Sequence, residues 1–171
     1  MRFVADNTVG KLRRWMSLLG YDVRYDPRSA REILRDPAPH PEEIVVLGRC
    51  PRLAAAFAGH GPPDTAPRAD LFHVESPDLK AQIAQVTRAF PLDFSKTLFS
   101  RCSHCNAEVR GPLSLETVLA DESVPAPVPE KVRDWRTQFY QCPSCRRVYW
   151  EGTHTERIRG FLREEVGLSG V

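Results

Sequence analysis

Four of the five cysteines stand in two matched pairs, Cys102-Ser103-His104-Cys105 and Cys142-Pro143-Ser144-Cys145, and Cys50 stands apart. A Cys-x-x-Cys turn aims two sulfurs at one point. Two such turns therefore predict a tetrahedral four-thiolate site, and zinc is the ion that suits it. Four protein ligands leave no open position for water, so the expected role is structural. His104 falls inside a pair, but the cysteines already fill the tetrahedron. Two disulfides or a redox dithiol are the alternatives; a cytosolic chain disfavours the first, and the second does not need a duplicate pair. Four thiolates around a divalent cation leave two surplus negative charges, which the flanking Arg101, Arg146 and Arg147 are placed to offset.

Carboxylates form the second chemically suggestive set. Asp6 follows the apolar run 2–5, Asp26 follows 23–25, Cys50 comes just after 44–47, and Glu75 with Asp78 follows 71–74. If those runs are parallel strands, these residues line the edge where open sheets bind ligands. Carboxylates gathered there would hold magnesium or manganese and activate water against a phosphodiester. Taken singly, each acid has a plainer reading: Asp26-Pro27 is a turn signal, and Asp78 suits the first turn of a helix. Cys50, alone after a buried strand, reads as a small hydrophobe rather than a ligand.

The elements that must position these residues alternate strand and helix over residues 2–90, the pattern of an α/β fold with a mainly parallel sheet. Val9, Leu12, Met16 and Leu19 make one helical face over 8–19, closed by Gly20. A weaker helix covers 30–34, Asp36 to Pro41 is a proline-rich loop, and Ile44 to Leu47 is a buried parallel strand. Pro51 opens a helix to about Ala58, Gly59 to Pro67 is a loop, and Pro77 opens a helix presenting Leu79, Ile83, Val86 and Phe90. Four strand-helix units make a small doubly wound domain over 1–98.

Residues 99–171 read as a zinc ribbon with a C-terminal helix. Ser114 to Ala120 is a short helix, Pro125, Pro127 and Pro129 make an extended connector, and 139–141 and 148–150 are the ribbon strands. Thr153 and Glu156 have capping-box spacing, so a helix is expected over 154–166, packing the ribbon onto the first domain. His40 and His60 lie in proline-rich loops and are expected to be exposed.

The 171 residues carry 24 basic and 22 acidic side chains, a net charge of +2, which does not by itself announce a polyanion partner. Between Gly10 and Arg35, however, seven basic residues face three acids. Lys11, Arg13 and Arg14 beside Asp6 are the candidate RNA contacts, with Trp15 or Tyr21 as stacking platforms and Tyr149-Trp150 mainly as ribbon packing. The opposing reading puts Trp15 in the core and the arginines on a solvated face. No apolar run is long enough to cross a bilayer and no signal peptide is evident, so the expectation is a cytoplasmic protein without a membrane partner.

Phe3-Val4-Ala5-Asp6-Asn7, Gly10-Lys11-Leu12-Arg13-Arg14-Trp15 and Leu18-Leu19-Gly20-Tyr21-Asp22 resemble the opening of the Mut-seven C-terminal RNase domain family. Arg101-Cys102, Cys105-Asn106, Cys142-Pro143 and Val148-Tyr149-Trp150-Glu151-Gly152-Thr153-His154 resemble its tail. The resemblance spans nearly the whole chain. It implies a PIN-like fold fused to a zinc ribbon, and a metal-dependent ribonuclease site of acidic residues. Asp6 matches the family's first acid. Gly48-Arg49-Cys50 stands where the family usually shows Thr-Arg-Asp, and Ser29-Ala30 occupies the place of the next acid, with Glu32 the nearest substitute.

Three functions follow from these residues. The first is a ribonuclease using Asp6, Glu32 and Asp78 around a divalent ion. The second is an inactive pseudo-nuclease that binds RNA or ribonucleoprotein. The third is a protein-interaction module whose zinc and core only hold shape.

Overall fold

A computed structural model describes residues 1–37, 39–40, 43–53 and 69–171. The first lobe alternates β1 (Arg2–Ala5), α1 (Gly10–Leu19), β2 (Val23–Tyr25), α2 (Ala30–Arg35), β3 (Ile44–Gly48), β4 (Ala69–His73) and α3 (Leu79–Ala89), and a short α4 (Phe94–Thr97) leads out of it. The four strands form one parallel sheet in the order β2-β1-β3-β4. The first three strands lie where the periodicity places them. The fourth, expected at 71–74, begins at Ala69, and Val74 still donates to Gly48 beyond its end. Residues 51–53 start the expected helix; its continuation and the Gly59–Pro67 loop lie outside the described residues.

Alternate residues of the central strands feed two cores. Phe3, Ala5 and Leu47 pack with Leu12 and Met16 of α1 and Ile83 and Val86 of α3. Val4, Ile44 and Val46 pack on the other face against Ala30 and Ile33 of α2. Burial on both faces is why these strands are continuously apolar. Each fully buried Leu or Met contributes roughly 1.5–3 kcal/mol relative to exposure.

Gly20 ends α1 at φ 97°, and the N–H of Tyr21 bonds back to Met16. A Cβ at Gly20 would lie 2.6 Å from the Thr97 carbonyl oxygen, so only glycine both turns the chain and admits the incoming segment. That segment is bonded down closely: Phe99 N–H donates to Leu18 at 2.6 Å, the Thr97 hydroxyl to Leu19 at 2.9 Å, and Arg101 Nε to Gly20 at 3.2 Å.

The second lobe is a three-stranded antiparallel sheet of β5 (Arg110–Leu113), β6 (Phe139–Gln141) and β7 (Val148–Tyr149), with α5 (Leu115–Leu119) and α6 (Glu130–Arg133) between β5 and β6. The Arg-Gly-Pro-Leu sequence of β5 carries no strand pattern, and only pairing with β6 makes it one. Helix α7 (Thr153–Gly160) continues into a wider turn over Phe161–Glu165, closed by Val166 N–H donating to Phe161. Its cap differs from the expected box. Gly152 precedes the helix, and its N–H donates to the Thr155 hydroxyl at 2.9 Å, because Thr155 rather than Glu156 occupies the third helical position. Leu162 is fully buried in the first core, and the Phe161 ring packs 4.7 Å from Trp15, so the chain's last helical segment closes over α1.

Candidate functional site

In the order β2-β1-β3-β4 the connection reverses direction between β1 and β3, which makes the carboxyl ends of those two strands the natural crevice of the sheet. Asp6 stands there, 1% exposed. Its Oδ1 accepts from the Thr8 N–H at 2.8 Å and the Thr8 hydroxyl at 2.5 Å, and its Oδ2 from the Ala30 N–H at 3.1 Å. The Thr8 hydroxyl in turn accepts from the Arg49 N–H at 3.0 Å. Asp6 thus fastens the start of α2 and, through Thr8, the end of β3 to one point. Gly48 completes the arrangement: a Cβ there would lie 2.6 Å from Asp6 Oδ2.

Asp26, one strand over, is also committed. Arg28 Nη2 donates to its Oδ2 at 2.7 Å, and the Arg28 N–H to its Oδ1 at 2.9 Å. His40 Nε2 lies 3.1 Å from Oδ2. The Arg28 hydrogen bonds hold the Asp26 carboxyl well below the usual carboxylate range, outweighing burial, and His40 adds to this. His40 is buried rather than exposed, because this carboxylate gives its ring a polar partner inside the fold. His60 lies outside the described residues.

The remaining acids each cap local structure. Glu32 accepts from the Ser29 hydroxyl at 2.6 Å and the Ser29 N–H at 2.9 Å, in a capping box whose hydrogen bonds lower its carboxyl group from its ordinary value. Asp78 accepts from the Ala81 N–H at 2.9 Å as the cap of α3, and Glu75 is exposed. Cys50 is half-buried with a free thiol. Among the described residues, Asp6, Glu32 and Asp78 do not form a group with ligand atoms close enough to share an ion. Magnesium and manganese require several free oxygens in one cage, and the described carboxylates do not supply one.

The cysteines behave differently. The Sγ atoms of Cys102, Cys105, Cys142 and Cys145 lie within 4.8 Å of one another, with Cys102 to Cys145 at 3.5 Å and Cys105 to Cys142 at 3.3 Å. Metal–sulfur bonds of about 2.3 Å require sulfurs about 3.8 Å apart in a tetrahedron, so the set is able to hold one metal ion. Backbone N–H groups point inward as well, from His104 and Cys105 to Cys102 and from Cys145 to Cys142. Against burial, which raises it, the Tyr149 hydroxyl 2.9 Å away and the Cys105 and His104 N–H groups pull the Cys102 thiol down to about 7. Both turns close the same way, with Asn106 at φ 69° and Arg146 at φ 61°.

The basic residues separate by role. Arg13 reaches across to the first cysteine turn, donating to the Ser103 carbonyl at 2.9 Å and to the His104 carbonyl. Arg101 and Arg146, expected beside the sulfurs as counter-charges, instead pair with Glu108 at 3.0 Å and with Asp121. Lys11 and Arg14 are exposed. Tyr21 is core rather than a stacking platform: it is 3% exposed, its hydroxyl donates to Phe90 at 2.6 Å, and burial raises its ionisation above the usual phenol range. Trp15 packs on Phe161, as the core reading has it.

A family model described as Mut7-C RNAse domain matches residues 1–162. The chain belongs to this family. No curated protein and no solved structure matches the chain. The Mut7-C RNAse domain match includes both the Asp6 edge and all four clustered cysteines, so the two lobes belong to one family unit. The organising roles of three residues of this Mut7-C chain, Thr8, His40 and Asn106, are absent from the sequence reading. Asp6-x-Thr8 is a short turn signal, and Asn after a Cys-x-x-Cys is a signal for positive φ, whereas nothing local marks His40.

Proposed function

We propose that this chain is an RNA-binding member of its ribonuclease family, a PIN-like lobe carrying a structural zinc ribbon, whose acidic edge serves the fold rather than a catalytic ion. The observation that carries this is the commitment of Asp6 to the fold: both of its oxygens accept hydrogen bonds, and no group of three or more ligating side chains among the described residues includes it. Cys102, Cys105, Cys142 and Cys145 would hold zinc, which supplies folding free energy to a sheet of only three short strands. Reduced metal-binding thiols suit a reducing compartment such as the cytoplasm. Lys11 and Arg14 on the exposed face of α1 support the RNA partner, while Arg13 is engaged with the ribbon.

A second reading is favoured by the place of Asp6 at the point where the sheet reverses, beside Asp26: a ribonuclease centred on Asp6 and using magnesium or manganese. The two separate in one experiment. Structured and single-stranded RNAs are incubated with wild type, Asp6→Asn and Glu32→Gln in magnesium or manganese, and both cleavage and salt-dependent binding are measured. Binding without cleavage is expected. Cleavage by wild type that is lost in the variants overturns the proposal in favour of the nuclease.

A further inference from the structure

Two cavities adjoin on the surface between the lobes. One, of about 930 Å³, lies between α1, the 96–101 segment and α7; the other, of about 630 Å³, lies between the first cysteine turn, the start of β7 and the proline connector 125–129. Arg14, Ser103, Tyr149 and Trp150 line both, so the two meet in one groove with Arg14 at its waist.

The charge of the groove is one-sided. Its two carboxylates are already matched, Glu108 by Arg101 at 3.0 Å and Glu151 by Arg159 at 3.5 Å. Lys11 on one side and Arg147 on the other are exposed, and with Arg14 they have no ion-pair partner among the described residues. Aromatic rings line the groove with these cations: Tyr140 and Tyr149 of β6 and β7, and Trp150 just after β7, half-buried and edge-on to His154 at 5.9 Å.

We propose that this groove binds a single-stranded segment of RNA, with phosphates on Lys11, Arg14 and Arg147 and an unpaired base against Trp150. The argument rests on the RNA-binding reading above and specifies where and in what form the RNA binds. Unmatched cations supply charge complementarity to a polyanion. Aromatic faces are of use only to bases that are not already stacked in a helix, which selects a single strand over a duplex. An acidic peptide would satisfy the cations but would leave the rings without a stacking partner.

The test is fluorescence anisotropy on the full chain with a labelled oligouridylate twelve-mer, the same length of RNA duplex, and a poly-glutamate peptide, each across a salt series. The single strand is expected to bind at least about tenfold more tightly than the other two, with base stacking supplying the difference. Arg14→Glu with Arg147→Glu is expected to weaken it at least about tenfold and, at about 0.7 per lost phosphate contact on a single strand, to flatten the salt slope by about 1.4 units. Trp150→Phe is expected to weaken it less, and Arg88→Glu, on an exposed turn of α3 outside the groove, not at all. RNA binding that survives both arginine reversals overturns the groove and leaves the RNA-binding function standing. Absence of RNA binding by wild type overturns both. Preference for the duplex, or for the peptide, overturns the single-strand assignment.

Discussion

The Asn106 amide oxygen accepts a hydrogen bond from the Val23 backbone N–H at 2.9 Å, joining the residue that closes the first cysteine turn to an edge strand of the parallel sheet. Its Nδ2 donates to the Ser17 hydroxyl at 2.9 Å and to the Tyr21 carbonyl at 2.8 Å, and the side chain is 4% exposed. The Asn106 amide thus serves a backbone N–H and a backbone carbonyl of the β2 entry and also bonds the Ser17 hydroxyl, which itself donates to the Arg13 carbonyl at 3.2 Å. The same residue sits at φ 69°, which asparagine tolerates better than most side chains. Replacing it tests two effects at once. Asn106→Ala is expected to lower unfolding free energy by about 3 kcal/mol, from three lost buried bonds and a strained backbone. Asn106→Gly, which removes the strain but not the lost bonds, is expected to recover only about 1 kcal/mol of that in urea denaturation.

The legibility of this molecule divides along the same seam. Leu12, Met16, Ile83 and Val86 show their faces by period alone, and the paired cysteine spacing shows a four-sulfur cluster, because both signals are local. Asn106 and Arg13 do not show their roles, because each acts on a partner far along the chain. Arg13 sits among basic neighbours and reads as a phosphate contact until the first cysteine turn is brought beside it. The capping carboxylates Glu32 and Asp78 mislead in the opposite sense: their types suggest ion binding, while backbone N–H groups three residues away already use them.

Asp6 and Gly48 depend on each other. Asp6→Asn keeps an oxygen for Thr8 but turns an NH2 group toward the Ala30 N–H, so two donors face each other in a buried place. A loss of about 2 kcal/mol is expected from a charged hydrogen bond of this kind. Gly48→Ala places a methyl group 2.6 Å from Asp6 Oδ2 and 3.0 Å from the Ala30 Cβ, and is expected to cost about 1–3 kcal/mol by overpacking. If the edge serves the fold, the double variant loses less than the sum, because the methyl group and the carboxamide disturb the same contact. A double-mutant cycle by thermal unfolding reads this directly; strict additivity would separate the two residues.

Asp26 supplies a pH signature. Its carboxyl group is held below its unfolded value by Arg28, with His40 adding to the effect. A lowered folded-state pKa stabilises above the unfolded value of about 4, and that stability is lost as pH falls further toward the folded value. Wild type should therefore exceed Asp26→Asn by about 2 kcal/mol at neutral pH, where the charged hydrogen bonds to Arg28 are intact. The gap should narrow steadily from about pH 4 downward. Taking the difference between the two proteins in parallel denaturations removes the acid sensitivity of the cysteines, which both share. A gap that does not change with pH would mean that Asp26 is not the titrating group.

Removal of the metal should act beyond the cysteine lobe. The turn carrying Cys102 and Cys105 also presents the Ser103 and His104 carbonyls to Arg13 and positions Asn106 against Val23, so an ion on the sulfurs would fix both docking contacts as well as its own ligands. Cys102→Ser, or chelation of the wild-type protein, is expected to release one zinc per chain and to make residues 99–171 protease-sensitive. Amide exchange at Val23 should rise at the same time, although Val23 lies in the parallel sheet, because its N–H has lost the Asn106 acceptor. Cys50→Ser, in the other lobe and away from the four sulfurs, should leave zinc content unchanged. Full zinc content in Cys102→Ser would remove Cys102 from the ligand set. Zinc loss without faster exchange at Val23 would show instead that the first turn holds its shape without the ion, and that Arg13 and Asn106 are sufficient to dock it.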